Sequence, residues 1–400
     1  MINASHDKHY TSMKIDKRNP GHWLLLMQQG IYTLVSSVAR FFLPTPKKPV
    51  VILYGHQLSG NLQALYCEWR SHYQDQFDCH FLSLDPGYSQ QLREQGVRVL
   101  QCSKLQDMIL VGRCKAIITD HGLHALHPFL SLTNILFIDV WHGIPFKGFI
   151  PEDFRVQQRY DEIWVSSPLL KEIYQTKFGF EPNIVKDLGY ARADKLFLRQ
   201  SPDPSLRKKA AIPVGKTVVL YAPTWQQDDN GRELFPFGES QDSFIRRLSE
   251  TCDQNNAVLI IRSHLNASIS SQHFENVRYC SMKEFPDAEG LLMLTDILIC
   301  DWSSIAFDFL ALDRPTIFLE VEPPFKNGFS LGREYRFGKM ATDLDILCDH
   351  IDKILQDSEW YMSTQQDVHR NIVSAVYGEN VDGNCASKQW SRLTELIGDN

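Results

Sequence analysis

From Pro49 onward the chain alternates short, mostly apolar runs with stretches whose apolar residues recur at helical spacing. Such runs lie at 49–56, 77–85, 97–102, 115–122, 134–143, 161–167 and 184–190, and the most apolar of them, like 297–300 further on, carry no polar face. That is the pattern of strands covered on both sides in a parallel sheet. A second series follows at 217–225, 256–264, 277–281, 297–304 and 315–321. Helical periodicity fills the gaps, for example at 242–254 and 303–312, and dominates 342–397. Between the two series lies "RQSPDPSLRKKAAIPVGK" (199–216), rich in proline and charge, which reads as an interdomain link. Two successive β/α series predict an α/β protein with two doubly wound domains facing each other across a cleft. The boundaries follow as 1–48 for a polar tail and helix, 49–200 for the first domain, and 201–400 for the second with its C-terminal helices.

The amino-terminal region departs from this pattern. Residues 1–22 are polar and carry Lys8, Lys14, Lys17 and Arg18. In the following "WLLLMQQGIYTLVSSVARFFLP" (23–44), Leu24, Met27, Ile31, Leu34, Val35, Val38 and Phe42 recur at helical spacing. Gln29, Thr33, Ser36, Ser37 and Arg40 fall on the opposite side. The segment is too polar for a spanning helix and lacks the small-residue cleavage site of a signal peptide. Its basic flanks, Lys47 and Lys48 included, suit an amphipathic helix lying in a membrane interface. Packing on the protein's own core is the alternative.

Composition narrows the function. With 43% hydrophobic and 22% charged residues the chain is globular, and a net charge of −7 excludes the basic field of a nucleic-acid binder. Nine cysteines are scattered without a C-x-x-C pair, as expected of reduced thiols in a cytosolic core.

The candidate chemistry gathers where predicted strands end. "VWHGIPFKGF" (140–149) brings His142 and Lys147 to such an end. "LIIRSH" places Arg262 and His264 two apart, hence on one side of a strand. "LICDWSS" delivers Asp301, Ser303 and Ser304 to a helix start, whose unpaired N–H groups suit a phosphate. Lys147, Arg262 and His264 add cationic hydrogen bonds for the same group, which suggests a diphosphate-bearing substrate. A serine N-cap without any ligand is the plain alternative, though no capping box supports it. "HGLHALH" (121–127) looks metal-like, yet histidines three and six apart do not share one helical face, so no zinc site is expected. His121 alone is expected to line the cleft. No resident cofactor is called for; a magnesium ion on the diphosphate suits such chemistry.

Taken in order over roughly 50–325, these segments resemble the CDP-glycerol glycerophosphotransferases of teichoic acid and capsule synthesis. "GHQLSGNLQALYCEW" (55–69) is similar to the family's early loop, with Asn61 in the matching place, and "WHGIPFK" (141–147) to its Trp-His-Gly-Thr-Pro-Leu-Lys block. "LGYARADKL" (188–196), "YAPTWQ" (221–226), "RSHLN" (262–266) and "TDILICDWSSIAFDFLALDRPTIF" (295–318) follow its later blocks in order. Ala191, Gln226, Leu265 and Trp302 depart from the pattern. The resemblance implies a GT-B fold of two Rossmann-like domains. It implies transfer of glycerol phosphate, or a related polyol phosphate, from CDP-glycerol to a hydroxyl of a lipid-linked or polymeric saccharide, with release of CMP. It further implies His142 and His264 as the catalytic pair. On that basis His142 is the expected general base, and Asp301 orients His264 or a donor hydroxyl. Lys147, Arg192, Thr224, Arg262, Ser303 and Ser304 are expected to bind substrate. The expected site of action is the cytoplasmic face of the bacterial plasma membrane, with peripheral attachment. A GT-B sugar transferase and a non-catalytic membrane-attached binding protein are the competing readings.

Overall fold

The computed structural model describes residues 20–224, 235–262, 274–282 and 284–398. Among these, the first sheet contains β1 Val50–Tyr54, β2 Asp78–Ser83, β3 Val99–Gln101, β4 Ala116–Thr119, β5 Leu136–Asp139, β6 Glu162–Val165 and β7 Val185–Asp187. Their spatial order is β3-β2-β1-β4-β5-β6-β7. The second sheet contains β8 Thr217–Tyr221, β9 Ala257–Ile261, β10 Val277–Tyr279, β11 Ile297–Cys300, β12 Thr316–Leu319 and β13 Lys339–Ala341, in the order β10-β9-β8-β11-β12-β13. Every pairing is parallel; Val51, for example, lies opposite Cys79 on one side and Ala116 on the other.

The central strands are wholly buried because helices cover both faces, which is why they read as continuous apolar runs. The strand order reverses between β1 and β4 in the first sheet and between β8 and β11 in the second. Such reversals open a crevice at the strands' carboxyl ends. The two sheets therefore form the two doubly wound halves of a GT-B architecture. The short β13 escaped the sequence pattern, since only Ala341 of its three residues is buried.

Three expected strands stop early, each where polar chemistry begins. β5 ends at Asp139 because Trp141 takes φ +45°, a left-handed backbone that breaks the ladder. β11 ends at Cys300 and β9 at Ile261. His264, expected to share a strand side with Arg262, lies outside the described residues.

Aromatic packing joins the halves: the Phe146 ring lies 4.4 Å from that of Phe307 and 5.8 Å from that of Trp302. The last helix, Cys385–Gly398, falls within the 201–400 span but packs on the first sheet. There the Trp390 indole donates to Leu65 O at 2.9 Å, and Arg392 meets Glu162 at 2.6 Å.

The helix Pro20–Ala39 is seated by its polar side. Gln29, Thr33, Ser36 and Ser37 are buried, while Trp23, Leu24, Met27, Ile31, Leu34 and Val38 face outward. Ser36 lies so close to Gly112 that a Cβ there would sit 2.6 Å from Ser36 O, so only glycine admits the approach. Among the described residues, no helix is long and apolar enough to cross a membrane.

Candidate active site

Asn61, fully buried after β1, holds the loop that carries His142. Its amide donates to Val140 O and Trp141 O, each at 2.8 Å, and its carbonyl accepts from Arg192 N at 3.0 Å. The Asp139 carboxylate completes the turn by accepting from Trp141 N at 2.7 Å. Strained backbone held by this many contacts is typical of a functional position.

His142 Nδ1 lies 3.1 Å from Asp120 O. A carbonyl only accepts, so Nδ1 carries the proton and Nε2 keeps the lone pair. His142 stands in the cleft between the halves and is exposed to solvent on its open side. Enclosure, then the neighbouring His121 and Arg192, push its pKa down to about 4, so the ring is neutral at pH 7.

Three further histidines form a chain of ring contacts leading from it. The His121 ring stacks on His142 at 4.6 Å, and His56 meets His121 at 4.7 Å and His124 at 5.3 Å. Enclosure works to lower the His121 pKa, but the Asp120 carboxylate at 2.6 Å outweighs it and the net shift is upward. His124 moves the other way, through burial and then the charge of His121. Beneath them, burial pushes the Asp139 carboxyl up to about 8, and its Oδ2 has no hydrogen-bond partner among the described residues. His121 therefore lines the cleft as the sequence suggests. His56 and His124 were missed, because their convergence depends on the strand order rather than on their spacing. No group of three or more His, Cys, Asp or Glu side chains among the described residues could hold a metal ion.

The second half contributes the opposite wall. Ser304 occupies the N-cap position of the helix Ile305–Leu310 without a side-chain cap bond. Gly143 takes φ +149°, and a Cβ there would lie 3.4 Å from Ser304 Oγ. The His142 loop and the Ser303–Ser304 turn thus meet across the cleft. Asp301 is buried and ties the ends of β8 and β11 together, accepting from Thr224 N at 2.8 Å, from the Thr224 hydroxyl and from Trp302 N at 2.6 Å. Thr224 is held by the same contact.

Arg192 bridges the halves. Its Nη1 donates to His142 O at 2.7 Å, while Nε and Nη2 grip the Asp308 carboxylate bidentately, Nε at 2.9 Å. Glu289 stands 3.5 Å from the same Nε. Arg262 turns inward, donating to Phe285 O at 3.0 Å, and burial lowers its pKa. Lys147 lies on the crossing between halves, where its carbonyl accepts from Ser330 Oγ at 2.6 Å and its ammonium sits over Phe149. His142, Arg192, Ser303 and Ser304 are thus brought to one cleft, with Asp301 and Thr224 directly beneath its second wall.

A family model described as CDP-glycerol:poly(glycerophosphate) glycerophosphotransferase matches residues 37–390. The chain belongs to this family. A teichoic acid glycerol-phosphate transferase of Staphylococcus aureus is 25% identical over 73% of this chain and 78% of its own. A teichoic acid poly(glycerol phosphate) polymerase of Bacillus spizizenii is 26% identical over 80% of this chain and 86% of its own. Among solved structures, the wall teichoic acid polymerase TagF superposes with a TM-score of 0.73 at 18% identity, covering 96% of each chain. That likeness concerns the fold. Of the positions where this glycerophosphotransferase chain departs from the family pattern, Ala191 is buried and Trp302 is buried with its indole donating to Val321 O. Gln226 and Leu265 lie outside the described residues.

Proposed function

We propose that His142 is the general base of a glycerol-phosphate transfer carried out in this cleft. As a family member the chain is a CDP-glycerol-dependent glycerophosphotransferase of teichoic acid synthesis. In the proposed step an acceptor hydroxyl attacks the glycerol-bearing phosphorus. The new O–P bond forms, the bond to the bridging oxygen breaks, CMP leaves, and the hydroxyl proton passes to His142 Nε2. The observation that carries this reading is the neutral His142 ring, its Nδ1–H committed to Asp120 O and its loop apposed to Ser304. A pKa near 4 makes a free base available at neutral pH, and an incoming diphosphate raises its basicity by its negative charge.

Ser303 and Ser304 would hold phosphate oxygens at the cleft's second wall, with His264 and Arg262 adding positive charge. Lys147 and Arg192 would frame the substrate, Arg192 by holding the two walls in register. Asp301 and Thr224 would shape the strand ends beneath the donor. A magnesium ion, if used, would arrive on the donor's diphosphate. The acceptor we infer is lipid-linked, and the enzyme works peripherally at the cytoplasmic face of the bacterial plasma membrane. The outward apolar side of Pro20–Ala39 supports that location.

The test is a donor panel. Purified protein with a membrane acceptor fraction receives CDP-glycerol, CDP-ribitol, UDP-sugars or CMP-sugars, and the released nucleotide is identified. CMP from CDP-glycerol, lost in His142→Ala, is the expected result. Turnover with a nucleotide sugar alone, or wild-type turnover in His142→Ala, would overturn the assignment.

A further inference from the structure

The outward apolar side of Pro20–Ala39 does not end with the helix. It continues into Phe41 and Phe42, which are 75% and 81% exposed. Beside them opens a pocket of about 280 Å³ lined by Arg40, Thr45, Arg113, Lys115 and Asn134 with a few apolar residues. Among the described residues, no acidic one lines it. Arg40 Nη1 and Arg113 Nε are buried there without a hydrogen-bond partner among the described residues, although Arg113 Nη2 donates to Pro44 O. Burying a guanidinium N–H without an acceptor is costly, and phosphate oxygens are the acceptors that match its planar fork.

The pocket is separate from the candidate active site. Lys115 and Leu136 mark the amino ends of β4 and β5, whereas His121 and His142 follow their carboxyl ends. A four-residue strand puts roughly 13 Å of sheet between the two.

We propose that this pocket binds the phosphate of an anionic membrane lipid. The inference rests on the membrane reading above and adds a specific headgroup site to it. Phe41 and Phe42 stand where acyl chains would begin, and three cations, with no acidic residue among the described lining, stand where the headgroup would lie. A protein partner would have to match both the apolar helix side and a cationic hole, whereas one lipid leaflet presents both chemistries.

The experiment uses the full chain and flotation with vesicles of phosphatidylcholine alone or with added phosphatidylglycerol. Two charge-matched variants are compared, Arg40→Gln/Arg113→Gln in the pocket and Lys47→Gln/Lys48→Gln on the adjacent exposed segment. General attraction to an anionic surface would weaken both equally. The pocket requires the arginine variant to lose about tenfold more of the phosphatidylglycerol-dependent binding, the scale of lost charge-assisted hydrogen bonds. Equal losses would overturn the headgroup site while leaving the membrane reading intact. Absence of wild-type binding to either vesicle would overturn the membrane reading itself. Thermal melts with inorganic phosphate separate the sources: stabilisation by phosphate without any phosphatidylglycerol increment would assign the pocket to a soluble anion and refute the lipid. Should the double arginine variant fail to fold, Arg113→Lys and Lys115→Gln repeat the comparison singly.

Discussion

Replacing Asn61 tests how the active-site loop is held, because that one side chain satisfies three backbone groups from two distant segments. In Asn61→Ala the carbonyls of Val140 and Trp141 and the N–H of Arg192 lose their partners together. Each orphaned buried group costs about 1–3 kcal/mol. The contacts to Trp141 and Arg192 are only partly buried, so water can recover some of that loss. The expected destabilisation is therefore about 3–5 kcal/mol, read from the urea midpoint at unchanged slope. Catalysis should fall more than binding, because His142 follows Trp141 directly. A displacement of about 1 Å costs on the order of a hundredfold. The variant should thus lose kcat for glycerol-phosphate transfer with little change in the KM for CDP-glycerol. Asn61→Asp should be no better, since a carboxylate offers no donor to the two carbonyls and repels them instead. Stability within about 0.5 kcal/mol of wild type, together with unchanged kcat, would refute the reasoning.

Two further perturbations probe the charges around that loop. Asp308→Asn should destabilise by about 3 kcal/mol in urea, because it leaves the Arg192 guanidinium without its bidentate partner, though near Glu289. Adding Arg192→Met to it should restore part of the loss; a double variant less stable than the sum of the singles would contradict the ion-pair account. Asp139→Asn mimics the protonated acid. Burial raises the folded pKa to about 8 from 3.8, so between those values the native state holds a proton that the unfolded chain has released. Wild-type stability should therefore fall relative to Asp139→Asn as pH rises from about 4 to about 8. Taking the difference between the two proteins cancels His142, whose lowered pKa gives the opposite slope from about 4 up to its ordinary range. A pH-independent difference in urea stability would refute a protonated Asp139.

The two sheets were legible because parallel strands are buried on both faces and so leave unbroken apolar runs; β13, mostly half-buried, left no such run. The gathering of His142 and the Asp301–Ser304 turn on facing walls of one cleft was legible because polar residues at strand ends meet in the crevice of such folds. What the sequence could not carry was which side chains meet. Arg192 and Asp308 are 116 residues apart, and only the docking of the two halves makes them partners. His56 and His121 are 65 residues apart in sequence, yet β1 and β4 are neighbours, which brings His56 against His121 and His124 beside the His142 loop. The amino-terminal helix shows a different limit. Its two stripes were visible, but the usual expectation buries the apolar one. Here Thr33 donates to Gln29 O at 2.9 Å, Ser36 to Tyr32 O at 2.5 Å and Ser37 to Thr33 O at 2.8 Å. Hydroxyls satisfied one turn back need no outside partner, so that side can pack closely against Gly112 at little polar cost. The apolar stripe then remains outside, continuous with Phe41 and Phe42 and next to the cationic pocket. Such a patch marks an interaction surface rather than a packing remainder, because the helix had a side suited to the core and presents the other to its surroundings.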